Sequence, residues 1–150
     1  MGEGRDMRKA PQHEGLKTIA ARYNLGALYA FGSRAREIAN PATGEAASSS
    51  LSGSDLDIGV EPATNVHLTA RDRVRIAADL EDLFGVGRVD LVILPEADPF
   101  LALDVIRGEL LYCADRDAQA EQELQVLRRA ADLAPYARER WEQILVGTPT

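Results

Sequence analysis

Apolar residues in this chain fall into short runs of strand length and longer stretches of helical spacing, and the two alternate. Leu16, Ile19, Ala20 and Tyr23 recur at helical intervals, so a first helix is predicted over Gln12–Tyr23 with one face turned inward. The polar start, Met1–Glu14, is expected to fray. Asn24–Gly26 ends the helix, and Leu25–Phe31 reads as a strand stopped by Gly32 and Ser33. In Ser54–Val60 the residues Leu56, Ile58 and Val60 alternate with Asp55, Asp57 and Gly59. This is the pattern of a strand with one buried face, and Glu61-Pro62 is expected to end it. Thr69 and Asp72 form a capping pair before a helix carrying Val74, Ile76, Leu80, Leu83 and Phe84, closed by Gly85 and Gly87. Val89–Leu94 is a further strand halted by Pro95. Pro99–Arg107 follows as a helix ended by Gly108, and Glu109–Tyr112 as a short last strand. From Asp115 a helical pattern runs through Leu124, Leu127, Ala131 and Ala134, is expected to break at Pro135, and resumes through Trp141, Ile144 and Leu145. Such a helix either packs back on the sheet or docks a second chain. The alternation, without repeats, predicts one α/β domain over 1–150 with a C-terminal helical segment at 115–146.

Composition narrows the function classes. A chain of 150 residues is long enough for a core without staples, and 45% hydrophobic with 27% charged residues is ordinary for a globular protein. A net charge of −7 argues against a protein that grips nucleic acid by its phosphates. The one cysteine, Cys113, allows no internal disulfide and fits a reducing cytosol, read as a small, partly buried side chain. No long apolar run or signal-like start is present, so no membrane is expected and the location is read as cytoplasmic. His13 and His67 lack metal-ligand partners and are read as surface residues. Arg71, Arg73 and Arg75 are read as a solvated face. Residues 38–53, small, polar and turn-rich, are expected to form a floppy insertion, the alternative being a lid over a nucleotide or a partner.

Three pieces carry candidate chemistry. A strand that stops at Gly32-Ser33 and turns into a helix presents free backbone N–H groups, and a glycine there lets a phosphate approach the backbone. Asp55 and Asp57, two apart on a strand, share a face and repel each other unless a cation lies between them. Hard divalent ions such as Mg²⁺ take such oxygen ligands together with substrate phosphates. Asp90, early in the next strand, supplies a third carboxylate if the two strands are neighbours. Each piece has a plainer reading. Ser33 can cap a helix, Asp55 can end a strand, and Asp90 can pair with Arg88 on the surface. Their occurrence together, in this order and strand context, points to one site.

Gly32-Ser33-Arg34-Ala35-Arg36, then Ser54-Asp55-Leu56-Asp57-Ile58, then Asp90 resemble the motifs of the DNA polymerase β-like nucleotidyltransferase superfamily. They are most similar to its minimal nucleotidyltransferases, the MntA-like antitoxins paired with HEPN toxins. The resemblance covers roughly residues 14–112. The loop after Arg36 is longer than is usual in that family, and Glu37 stands where the family usually has glycine. The resemblance implies an α+β fold, a small mixed sheet with helices packed on it. It implies that Gly32 and Ser33 hold the β- and γ-phosphates of ATP and that Arg34 or Arg36 neutralises developing phosphate charge. Asp55, Asp57 and Asp90 would bind Mg²⁺, two ions in the family's mechanism, with Asp90 taking the acceptor's proton. It further implies AMP transfer to a tyrosine hydroxyl of a HEPN ribonuclease, with this chain as antitoxin in an assembly with that partner. The HEPN signature itself, an Arg followed closely by His-x-Tyr, is absent from this chain. Two other readings are a non-catalytic antitoxin that acts by covering its partner, and a small-molecule nucleotidyltransferase.

Overall fold

The computed structural model describes residues 3–32, 35 and 55–145, with side chains between 12 and 135. Helix α1 (Glu3–Tyr23) leads into strand β1 (Leu25–Phe31). After the interval to residue 55 come β2 (Asp55–Pro62), α2 (Ala70–Phe84), β3 (Arg88–Ile93) and a 3-10 turn (Leu94–Glu96). Then α3 (Pro99–Ile106), β4 (Glu109–Cys113) and α4 (Arg116–Leu145) complete the described chain. The four strands form one mixed sheet in the order β3-β2-β1-β4. β2 and β3 run parallel, joined through α2, while β1 lies antiparallel to both β2 and β4. The α+β architecture expected from the resemblance is therefore the one observed. The insertion expected at 38–53 lies outside the described residues.

Alternation along β2 divides the molecule into two packed layers. Leu56, Ile58 and Val60 are fully buried on one face, where Leu16, Ile19 and Ala20 of α1 and Ile76, Leu80 and Phe84 of α2 cover the sheet. Asp55, Asp57, Gly59 and Glu61 face the other way. On that side Ala27 and Tyr29 pack with Ala102 and Val105 of α3 and Val126 of α4. A register shift between Leu25 and Ala27 moves Leu25 into the first layer while Ala27 joins the second. Local signals set the helix ends as read from sequence. The Thr69 hydroxyl accepts from Asp72 N–H at 3.1 Å and the Asp72 carboxylate from Thr69 N–H at 2.9 Å, while Gly85 closes α2 with φ +66°. The Asp98 carboxylate caps α3, accepting from the N–H groups of Phe100 and Leu101.

Four expectations need correction. The helix α1 begins at Glu3 rather than fraying up to Glu14. The strand β2 runs on through Glu61 to Pro62, because the antiparallel edge of β1 continues to pair with it as far as Leu25. α4 is continuous to Leu145 with Pro135 inside it, since a proline removes one backbone donor but leaves the neighbouring helical bonds in place. Arg73 is not simply solvated: its guanidinium pairs with Glu96 and so ties α2 to the 3-10 turn after β3.

Two features hold the second layer on the sheet. Gly59 has no side chain, and Val105 of α3 occupies the space a methyl would need, so α3 lies directly against β2. α4 is fixed by a polar clasp. The buried Tyr29 hydroxyl donates to Glu123 Oε2 at 3.0 Å and accepts from Gln119 Nε2 at 2.9 Å. Glu61, also buried, lies under the same helix, and burial pushes its carboxyl up to about 7 against the weak opposing pull of Arg129.

Gly59→Ala is expected to cost about 1–3 kcal/mol in urea unfolding through overpacking, with part recovered in the Gly59→Ala/Val105→Ala double variant. Glu61 binds its proton more tightly folded than unfolded, so its contribution is fullest below about pH 4.5 and is lost as pH rises through about 7. Asp57 acts with the same sign. Glu61→Gln should therefore remove a decline on the order of 3 kcal/mol, read as a flatter dependence of unfolding free energy between about pH 5 and pH 8.

Candidate nucleotide-transfer site

The site lies where β1 ends and the parallel strands β2 and β3 begin. Their register places Asp57 directly beside Asp90 and Asp55 beside Arg88. Because neighbouring strands lie about 4.8 Å apart and alternate residues share a face, Asp55, Asp57 and Asp90 come together on the α3 side of the sheet. The Asp57 carboxyl is held above the ordinary carboxylate range, first by burial, then by Asp90 and then by Asp55.

From the other side, Phe31 pairs with Asp57, and the next residue, Gly32, takes φ +81°, a left-handed conformation that side chains disfavour. A Cβ on Gly32 would lie 2.6 Å from Asp57 Oδ2, so the strand end packs against the carboxylate through bare backbone. The chain then turns at once: Ala35 N–H donates to Gly32 C=O at 3.4 Å, and Ala35 is buried in the first layer. The strand-to-turn geometry read from sequence is thus present at Gly32. Ser33, Arg34 and Arg36, assigned to phosphate binding, lie outside the described residues. On the far flank of β1, Gly108 fits against Phe31 and the Ala30 carbonyl where a larger residue would collide, which brings the start of β4 to the same end of the sheet.

Asp90 also makes the surface ion pair weighed above. Arg88 Nε donates to Asp90 Oδ1 at 3.1 Å, with both side chains well exposed. Among the described residues no three carboxylate, histidine or cysteine side chains are already gathered around a common metal position. The donor set nevertheless suits a hard cation: three carboxylates on two adjacent strands, with Asp57 raised in proton affinity first by burial and then by the other two, beside an exposed glycine. His13 and His67 are exposed and stand apart from this group, as expected. Gly59 and Gly108 were not read as site residues. Alternation placed Gly59 on the Asp57 face, but only the packing of α3 and β4 reveals why both must be small.

Among the described residues no helix is long and apolar enough to cross a membrane. Comparison with curated proteins finds no match. Among solved structures, a toxin–antitoxin complex of MntA with its toxin, in a doubly substituted mutant form, superposes at TM-score 0.65. It has 18% identity and covers 89% of this chain and 98% of that one. A toxin–antitoxin structure with AMP-PNP gives TM-score 0.65 and 19% identity over 89% of this chain and 98% of the other. A tri-AMPylated HEPN toxin with its MNT antitoxin from Shewanella oneidensis gives TM-score 0.51 and 20% identity, covering 90% and 92%. At these identities the likeness is one of fold. The family model described as polymerase beta, nucleotidyltransferase matches residues 14–117, spanning β1 with Gly32, β2 with Asp55 and Asp57, and β3 with Asp90. With its motif residues brought to one end of a mixed sheet, this chain belongs to the polymerase beta nucleotidyltransferase family.

Proposed function

We propose that the protein is an antitoxin of the minimal nucleotidyltransferase kind, which transfers AMP from ATP to a tyrosine hydroxyl of a HEPN-type toxin. The observation that carries this reading is the juxtaposition of Asp57 and Asp90 across β2 and β3, with Gly32 backed against Asp57. The fold shared with an MntA toxin–antitoxin structure, with a toxin–antitoxin structure holding AMP-PNP and with the complex of a tri-AMPylated HEPN toxin and its MNT antitoxin supports the choice of donor and acceptor.

In this reading Asp55, Asp57 and Asp90 hold Mg²⁺, which when bound neutralises triphosphate charge and makes the α-phosphorus more electrophilic. Gly32 gives the phosphates access to backbone N–H groups, with Ser33 and an arginine, Arg34 or Arg36, as further donors. The acceptor oxygen bonds to the α-phosphorus as the bond to the β-phosphate oxygen breaks. Its proton passes to Asp90, and pyrophosphate leaves with the electron pair. Burial on the α3 side keeps Asp57 partly shielded from water, which strengthens its interaction with any cation. The protein is read as a single nucleotidyltransferase domain acting in the cytoplasm.

A second reading, inhibition by binding alone, draws on Leu124 and Leu127, which are exposed one turn apart on α4 and offer an apolar contact surface.

Incubation of a cognate HEPN protein with this protein, Mg²⁺ and ATP should raise the intact mass of the HEPN protein by one or more AMP units. Asp57→Asn should lower the rate roughly 10²–10⁴-fold. A complex that forms without any mass gain would favour the binding-only reading, and gain on a small hydroxyl compound without a partner would favour a small-molecule enzyme. Gly32→Ala, strained in backbone and crowding Asp57, should fold yet lose about 10²-fold in transfer rate, read as kcat/KM beside a circular-dichroism melt.

A further inference from the structure

Among the described residues, Arg88 is the cation in direct contact with the carboxylate group. Its position makes that contact more than a surface pair. It stands opposite Asp55 in the parallel register, and two residues along β3 its guanidinium reaches Asp90, the residue opposite Asp57. It therefore holds one of the three carboxylates that would ligate a divalent ion and stands in register with a second. A carboxylate oxygen held by a guanidinium is not free to turn toward a metal. Among the described residues the three side chains are not gathered around a shared point.

We propose that Arg88 is the resident counter-ion of this site, competing with the metal for Asp90 and thereby setting metal affinity. The proposal rests on reading Asp55, Asp57 and Asp90 as the metal-binding carboxylates. Without metal, Arg88 offsets part of the repulsion between Asp57 and Asp90. When a cation binds, Asp90 turns from Arg88 to the ion, and the guanidinium is released at the rim of the site. The exchange is cheap because Arg88 begins its strand with a side chain 68% exposed, so that it loses its pair into water without leaving a buried charge. A displaced guanidinium at the rim is then free for an anionic group of the nucleotide or acceptor.

The test uses Mn²⁺ alone as probe, by calorimetric titration and by melting in chelator and in saturating Mn²⁺. Arg88→Gln should bind Mn²⁺ about two- to fivefold more tightly than the parent, the range an exposed pair contributes. It should melt lower in chelator, and this gap should close or invert in Mn²⁺. Arg71→Gln removes the same charge from an exposed position at the start of α2, whose other end, about 20 Å away, leads to Arg88. It should change neither readout. Equal or weaker Mn²⁺ binding by Arg88→Gln, or the same gain in Arg71→Gln, overturns the proposal while leaving the metal site intact. Absence of Mn²⁺ binding by the parent protein overturns both the proposal and the assignment of the carboxylates.

Discussion

Two carboxylates held side by side on adjacent parallel strands are the constraint around which the rest of this structure is arranged. Asp57 and Asp90 repel, and burial of Asp57 sharpens the repulsion, so the pairing of β2 with β3 must be stabilised by what lies behind it. That support is the first core layer. Leu56, Ile58 and Val60 are fully buried under α1 and α2, one residue out of phase with the acids on the same strand. A one-residue slip of β2 would bury both aspartates and expose the core, a cost far above any gain from separating the charges. Core packing therefore sets the register, and the register sets the charge geometry.

The second layer is built to leave the carboxylate end of the sheet accessible. α3 lies close because Gly59 lacks a side chain, and β4 reaches the end of β1 because Gly108 does. α4 is held further along by Val126 and by the hydrogen bonds of Tyr29, Gln119 and Glu123. Both packed helices thus cover the Gly59–Glu61 stretch and not Asp55. A strand that carries acids at one end and a buried glutamate toward the other is covered only where the cover is apolar or hydrogen-bonded. The polar clasp on Tyr29 accepts the cost of dehydrating a phenol by giving it both a donor and an acceptor.

Much of this was legible locally. The capping box at Thr69 and Asp72, the left-handed Gly85 and the alternation of Leu56, Ile58 and Val60 depend on residues close in sequence. The misreadings share a cause. Glu61 and Pro62 look like residues that stop a strand, yet β1 supplies an antiparallel partner that carries pairing through both of them. Pro135 looks like a break, yet the loss of one donor does not unwind the turns on either side. Arg73 looks solvated until the turn after β3 brings Glu96 to it.

The sequence by itself determined the order of elements, the face on which each acid sits and the family to which the motif residues point, because these follow from spacing within a strand or turn. Only the tertiary structure decided that Asp57 meets Asp90, that Gly59 and Glu61 are buried against other elements, and that Gly108 fits against the end of β1. Those relations join strands and helices far apart in the chain. They depend on strand order and on which helix covers which face, and no local pattern encodes either.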